Sequence, residues 1–442
     1  MKISTRSKIG LWCVLICAII LVGYLSGLVN EQGITPPVCP PQNIGVWGPI
    51  AIKFNQAMLK PSVEELIHIT PNMEGSWLWE ENNLTFQPKS AFSPGLILQI
   101  NLAPGAENLK GERIGKNMSC LMTVREPQIV FQTLNLQQGE LDKINIDGSG
   151  LQPWVRFKSP ILSYTVAKNG ENLTAAVRNS IGGVDLWLVD RNGRSANLLE
   201  NCGKEVCESP QWSPDNHTIY FSKMGTGNPQ LLEVDINTQK SQNLLTEKDV
   251  SCELPEVSPN GEKLAFFDSR AGGIRIVNLN GSDNRFLKTN TTFYDWSPDS
   301  QNLVYFSETT ELENYYMDVF IYHIDAHQSE KLLNEYKGQF EFGNPVWSPD
   351  GKWITLAARL TLGSPSRQLV MFQTDGSAVK NITQTQLETY SSYQWSPDGK
   401  TLIFQGLELG SSSAVPQIIT WDLAEAKTKV ILNGGGNPSW LP

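Results

Sequence analysis

The sequence predicts an all-β protein: an N-terminal transmembrane helix, a small β-sandwich, then a ring of repeated four-stranded units. Three observations carry this expectation. Residues 9–29 hold no charge, residues 34–126 alternate apolar and polar positions between turn residues, and Trp-Ser-Pro-Asp recurs between residues 212 and 398. A chain of 442 residues has room for two or three domains. Its 13 Trp, 36 Gly and 26 Pro suit many short strands joined by tight turns.

Residues 1–8 are read as a cytoplasmic tail and residues 9–29 as a signal anchor. About 20 apolar residues rising 1.5 Å each cross a hydrocarbon core about 30 Å thick. Lys2, Arg6 and Lys8 precede the stretch, and the positive-inside tendency keeps that end in the cytoplasm. The expectation is a single-pass protein of the cell membrane with everything after Asn30 exported. A cleaved signal peptide is the competing reading. The apolar run is long for one, and no small-x-small pair closes it.

Residues 30–126 form the sandwich. A Pro-rich lead-in, Thr35 to Gln42, excludes helix. About seven strand-like runs follow, among them Ile50–Phe54, Leu66–Thr70, Trp77–Trp79, Asn83–Phe86, Leu96–Leu102 and Met118–Val124. Ile52-Lys-Phe-Asn-Gln-Ala-Met58, Asn83-Leu-Thr-Phe-Gln-Pro88 and Ser93-Pro-Gly-Leu-Ile-Leu-Gln-Ile100 resemble motifs of bacterial Ig-like domains of the SbsA type. The aromatic usual after the Pro-Gly is replaced by Leu96 or Ile97. The resemblance implies a spacer or adhesive module. Cys39 and Cys120 fall in the first and last strands, where an exported sandwich can join them as a disulfide. Two buried thiols are the alternative.

Residues 127–442 are self-similar. The strong copies of the motif are Trp212 to Asp215, Val257 to Asn260, Trp296 to Asp299, Trp347 to Asp350 and Trp395 to Asp398. A degenerate copy stands at Val166 and a last fragment at Trp440, so anchors recur every 39 to 51 residues. Seven places after each anchor stands an apolar residue: Leu173, Ile219, Leu264, Leu303, Ile354 and Leu402. Four strands per 40–50 residues is the pattern of a propeller blade. In the motif Ser opens a turn, Pro fixes φ, Asp or Asn tolerates the third position and Gly the fourth.

The last anchor, Trp440, has no strands after it, whereas Gln128–Phe131, Leu141–Asp147 and Leu151–Val155 have no anchor before them. Pairing the two ends closes a ring of seven blades. Six is the alternative if 128–156 packs elsewhere. The repeat resembles the TolB/PD40 (WD40-like) family over about 315 residues. That resemblance implies a propeller with protein or peptide binding at one face or in the central funnel.

Candidate chemistry is sparse. The net charge of −10 disfavours nucleic acid, whose affinity rests on Lys and Arg neutralising phosphates. No Gly-x-Ser-x-Gly elbow or phosphate loop occurs, and there are four His. His323, Asp325 and His327 could share a strand face as metal ligands, but a structural turn accounts for them. Cys202 and Cys207 are read as a local disulfide, with Cys207–Cys252 as the rival pairing. Calcium at the turn carboxylates Asp215, Asp299, Asp350 and Asp398 competes with their turn role. No catalytic residue, metal or cofactor is expected. The expected function is a membrane-anchored binding or scaffold protein for a protein, peptide or glycan ligand at a propeller face. An enzyme of lyase or glycosidase type in the funnel, or an envelope assembly factor, is the alternative.

Overall fold

The computed structural model describes residues 34–133, 138–245, 249–280, 282–311, 314–332, 343–359, 364–385 and 387–442, with no account of the side chains of 308–316. The predicted anchor, 9–29, lies outside the described residues. Among the described residues no helix is long and apolar enough to cross a membrane. The chain divides into two compact units, one within 1–124 and one that includes 125–442, to which Gly45–Trp47 and Ala91–Pro94 also belong.

The first unit has two sheets. One orders Asn43–Ile44, Met118–Val124, Ile97–Leu102 and Ile67–Thr70, and the other Ile50–Lys53, Asn83–Pro88 and Gly75–Glu80. Alternation decides which side chains go inward. Met118, Cys120, Met122 and Val124 are buried while Ser119, Leu121 and Thr123 are exposed. Ile50, Ile52, Leu84, Leu98 and Ile100 are fully buried. Cys39 and Cys120 are joined in a disulfide with their Cα atoms 5.6 Å apart. A five-residue helix, Lys60–Glu64, starts on Pro61 at its first turn, where a missing N–H costs nothing.

The second unit is built from four-stranded antiparallel groups. Four are separate sheets starting at Glu253–Val257, Tyr294–Trp296, Val346–Trp347 and Glu388–Trp395. The groups starting at Ile161–Val166 and Val206–Trp212 are linked by the single parallel pair of Val184 with Val206. The remaining sheet joins the two ends of the unit: Gly435–Leu441 pairs with Gln128–Thr133, followed by Gly139–Asn145 and Gln152–Phe157. Trp440 lies opposite Ile129 and Leu441 opposite Gln128.

Each motif turn is organised by its serine. In all five strong copies the Ser hydroxyl donates to the Asp or Asn two places on, as in Ser258 to Asn260 and Ser396 to Asp398, both 2.7 Å. The same hydroxyl accepts the N–H five places on, at 2.9–3.0 Å. These serines are at most 6% exposed, so the side chain completes a turn the backbone alone leaves open. The fourth position takes φ near +70° in Gly261, Gly351 and Gly399, and Asn216 and Ser300 accept the same left-handed conformation.

Neighbouring groups are tied by a repeated relation. In three of the five Trp anchors the indole donates to the carbonyl one place before the anchor of the preceding sheet: Trp212 to Thr165 (3.3 Å), Trp296 to Glu256 (3.1 Å) and Trp440 to Gln394 (3.1 Å). The Trp395 indole donates instead to the Thr355 hydroxyl. Where a Tyr stands two places before the anchor, its hydroxyl donates to the carbonyl three places before the preceding anchor. Tyr164 reaches Asn437, Tyr294 reaches Leu254, and Tyr393 reaches Asn344. The last strand therefore donates to one neighbour through Trp440 and accepts from the other through Asn437. Trp440 is also 3% exposed among Ile403, Ile418, Ile129 and Phe131. Trp440→Ala should lower unfolding stability by about 3–5 kcal/mol, the cost of emptying a buried Trp site, measured by urea denaturation. A loss under about 1 kcal/mol would mean the closing strand contributes little.

Candidate functional site

The strands Ile161–Val166, Val206–Trp212, Glu253–Val257, Val346–Trp347, Glu388–Trp395 and Gly435–Leu441 border a cavity of about 930 Å³. Its wall is built mainly from residues just before and within the motif turns, including Tyr164, Thr165, Gln211, Val346, Tyr393, Gln394, Asn437 and Ser439. A local backbone device shapes that wall. The ladder slips between Glu208 and Gln211, Glu253 and Glu256, Ser391 and Gln394, and Gly436 and Ser439. At each slip one non-glycine residue has positive φ: Ser209, Leu254, Ser392 and Asn437, between 48° and 52°. Bulges of this kind re-aim the residues that follow them.

The position immediately before each anchor, a register of the repeat, is held in turn by Thr165, Gln211, Glu256, Asp295, Val346, Gln394 and Ser439, and all of these except Glu256 and Asp295 line the cavity. Much of the wall is amide and hydroxyl. Gln394 Oε1 accepts from the Ser439 hydroxyl (3.1 Å) and the Trp440 N–H (3.0 Å). Asn437 accepts from Ser392 (3.0 Å), and its side-chain amide donates to Gln132 (3.1 Å). The tyrosine hydroxyls at the seams are held un-ionised: burial pushes Tyr164, Tyr294 and Tyr393 above the ordinary phenol range.

Two neighbouring members of the register are carboxyls. Burial pushes Asp295 up to about 7, against the N–H groups of Trp347 and Trp296, which pull it down. Its Oδ2 accepts the Trp347 N–H at 2.7 Å. Glu256 is raised well above the carboxylate range, first by burial and then by the charge of Asp295. Farther along, Glu208 is raised by burial and by Glu253.

Four of the sequence-predicted anchors, Trp212, Val257, Trp395 and Trp440, also contribute to the cavity wall, and the other predicted residues fall elsewhere. Trp212, Trp296, Trp347, Trp395 and Trp440 are buried, and Val257 is half-buried. Asp215, Asn260, Asp299, Asp350 and Asp398 accept from their own turn serine and from the N–H two places on. His323 ends a strand with Nδ1 2.7 Å from Asn302 Oδ1, while His327 sits in the following turn at φ 55°. Among the described residues no group of three or more His, Cys, Asp or Glu is arranged for a metal. Cys202 and Cys207 form the local disulfide, and Cys252 is a buried thiol.

The register before the anchors was the feature missed from sequence. Its signal is there: aligning the seven anchors and reading one place back gives Thr, Gln, Glu, Asp, Val, Gln and Ser. The raised carboxyls carry a pH signature. The folded chain holds protons that the unfolded chain releases near pH 4. Their stabilising contribution is therefore complete below about pH 4 and lost as pH rises through the folded values, toward 7 for Asp295. Glu256→Gln should raise Tm at pH 8 relative to the parent while changing it little at pH 5. Equal pH dependence in both proteins, followed by calorimetry, would contradict the assignment.

Comparison with known proteins agrees with this architecture. Residues 155–312 match the family model of the TolB beta propeller domain. An uncharacterized protein of Agrobacterium fabrum is 24% identical over 260 residues, which cover 54% of this chain and 82% of that protein. An uncharacterized peptidase of Bacillus subtilis is 26% identical over 160 residues, covering 36% of this chain and 23% of the peptidase. Among solved structures, a puromycin-hydrolyzing peptidase of Mycobacterium tuberculosis overlaps 70% of this chain and 54% of its own, with a TM-score of 0.52 at 12% identity. That likeness is one of fold alone. Over the matched stretch the chain is similar to the TolB beta propeller domain.

Proposed function

We propose that this protein is a membrane-anchored, extracytoplasmic binding protein whose propeller channel receives a segment of a partner protein. The observation that carries the reading is the cavity of about 930 Å³ with its wall of amide and hydroxyl groups. Such a wall offers donors and acceptors to a polypeptide backbone, and a concave site with few placed polar groups is the usual form of a binding pocket. Similarity to the TolB propeller domain supports a protein ligand.

In this reading residues 9–29 hold the chain in the membrane and an Ig-like module over 30–126 acts as a spacer. The propeller has seven blades, the last completed by strands from both ends of 127–442. Export fits the two disulfides, Cys39–Cys120 and Cys202–Cys207, which persist in oxidising compartments.

A second reading, an enzyme, draws on one observation. Glu256 and Asp295 are neighbouring carboxyls with raised proton affinity, the condition for general acid chemistry near neutral pH. Turnover of a peptide or glycan library that disappears in Glu256→Gln would favour it.

The binding reading is tested by capturing partners from envelope extracts with the detergent-solubilised full chain. Ser439→Arg, which places a long cation at the cavity wall, is the comparison. Partners retained by the parent should fall at least tenfold with the variant. Equal recovery of every retained protein would place binding outside the channel and contradict the proposal.

A further inference from the structure

Among the described residues that line the cavity, Lys168 carries the sole charged side chain. It belongs to the degenerate copy of the motif, where Ala167-Lys168-Asn169-Gly170 stands for Ser-Pro-Asp-Gly. The backbone keeps the turn. Ala167 N–H donates to Asn172 and Gly170 N–H to Ala167, as Ser258 does to Lys263 and Gly261 to Ser258. Lys168 therefore holds the place of the motif proline. In three strong copies that proline, Pro214, Pro259 or Pro397, also lines the cavity. At a place those copies fill with an inert ring, this copy presents a cation.

The ammonium is held in place but not neutralised. Its Nζ lies 4.1 Å from the centre of the Trp47 ring, and Trp47 lines the same cavity. The π face steadies the cation but supplies no oxygen acceptor. Among the described residues no carboxylate answers it: burial draws the ammonium below the ordinary lysine range, and no neighbouring charge raises it again. Partly enclosed lysines elsewhere in the unit do meet a carboxylate, Lys331 with Asp318 at 2.7 Å and Lys223 with Glu205 at 3.0 Å. Lys168 is flanked by the wall yet keeps an exposed surface, so an incoming group can reach it. Its turn is also fixed. Asn169 N–H donates to Asn216 Oδ1 at 3.1 Å, and the Gly170 carbonyl accepts from Arg191 at 2.6 Å. A group held this way loses little freedom when it binds.

We propose that Lys168 is the docking point for a carboxylate, of an acidic side chain or of a chain terminus, on a peptide entering the channel. The proposal rests on the channel being the binding site. An ammonium has three N–H donors, and a charge-assisted bond to a carboxylate is about twice as strong as a neutral one. Low-dielectric walls focus the field of a single charge. In a chain of net charge −10, this wall is where an anion meets a cation with no competing carboxylate beside it. Gln211, Gln394 and Ser439 present neutral groups to the adjoining backbone. Lys168 therefore sets the position of the acidic group, and the amide wall sets the path of the chain beside it.

The test uses the full chain in detergent at pH 7.5 with three peptides titrated by calorimetry. These are acetyl-Ala-Ala-Glu-Ala-Ala-amide, its glutamine counterpart, and the glutamine peptide with a free carboxyl terminus. At least one carboxylate peptide should bind at least tenfold more tightly than the glutamine amide, as expected for a charge-assisted hydrogen bond. The tighter of the two identifies the source of the carboxylate. The preference should disappear in Lys168→Met, which keeps the stem and removes the charge, and persist in Lys168→Arg. Because the contrast between peptides is read in the parent protein, the proposal stays testable if a variant fails to fold. Equal affinity for all three peptides, no binding of any probe, or a preference that survives Lys168→Met would overturn it. So would an oligouronide bound more tightly than either carboxylate peptide, which would make the site one for an acidic glycan. A partner whose capture is blocked by Ser439→Arg yet indifferent to Lys168→Met would leave the channel reading standing and remove the carboxylate assignment.

Discussion

The propeller depends on what each sheet hands to the one before it at the channel. An antiparallel sheet of four short strands cannot bury both faces alone, so every group needs neighbours in a fixed register. The hydrophobic seams supply most of the driving force but little direction, since apolar contact is not directional. Direction comes from buried indole and phenol donors aimed at particular carbonyls of the preceding sheet: Trp296 at Glu256, Tyr294 at Leu254, Tyr164 at Asn437. Leaving such a buried group unpaired costs about 1–3 kcal/mol. A slipped seam would forfeit several of these bonds at once.

The same contacts build the wall of the channel. The carbonyls that accept from Tyr164 and Tyr294 belong to Asn437 and Leu254, residues with positive φ at the ladder slips. A left-handed non-glycine residue is strained by about 1–3 kcal/mol, and here the strained carbonyl is the one the tyrosine bonds. After the slips the residues Gln211, Gln394 and Ser439 line the cavity. Scaffold and candidate site are therefore one structure, in which the bulge that lets neighbouring sheets bond also presents Gln394 and Ser439 to the cavity. Variation at the place before the anchor changes the wall while the anchor, the turn serine and the seam bonds stay in use.

Much of the fold was legible because it is written in local chemistry. Ser297 to Asp299 specifies its turn by side-chain bonds within five residues, so the motif announces itself wherever it recurs. The alternation of Met118–Val124 specified its inward face in the same way. The helix Lys60–Glu64 was not anticipated, since five residues give too little periodicity to separate it from a turn. The bulges were hidden for a different reason. Ser209, Leu254, Ser392 and Asn437 include no glycine to mark positive φ, and tertiary bonds reach Leu254, Ser392 and Asn437. Part of the candidate site was hidden because the motif draws reading forward from Trp into the turn, whereas Gln211, Gln394 and Ser439 of the cavity wall stand one place behind. Glu256 and Asp295 share no local pattern. They meet only in the fold, where the charge of Asp295 acts on Glu256, which sequence separation conceals.

The central claim is that the strand Gly435–Leu441 closes the propeller against Gln128–Thr133 and is held on both sides by seam bonds. Hydrogen exchange of the full chain, followed by mass spectrometry, tests this most directly. The account predicts that the hydrogen-bonded amides of 435–441 exchange as slowly as those of 128–133, in one cooperative unit with the neighbouring sheets. Rapid exchange across 435–441 while the sheets beginning at Glu388 and Ile161 stay protected would contradict it.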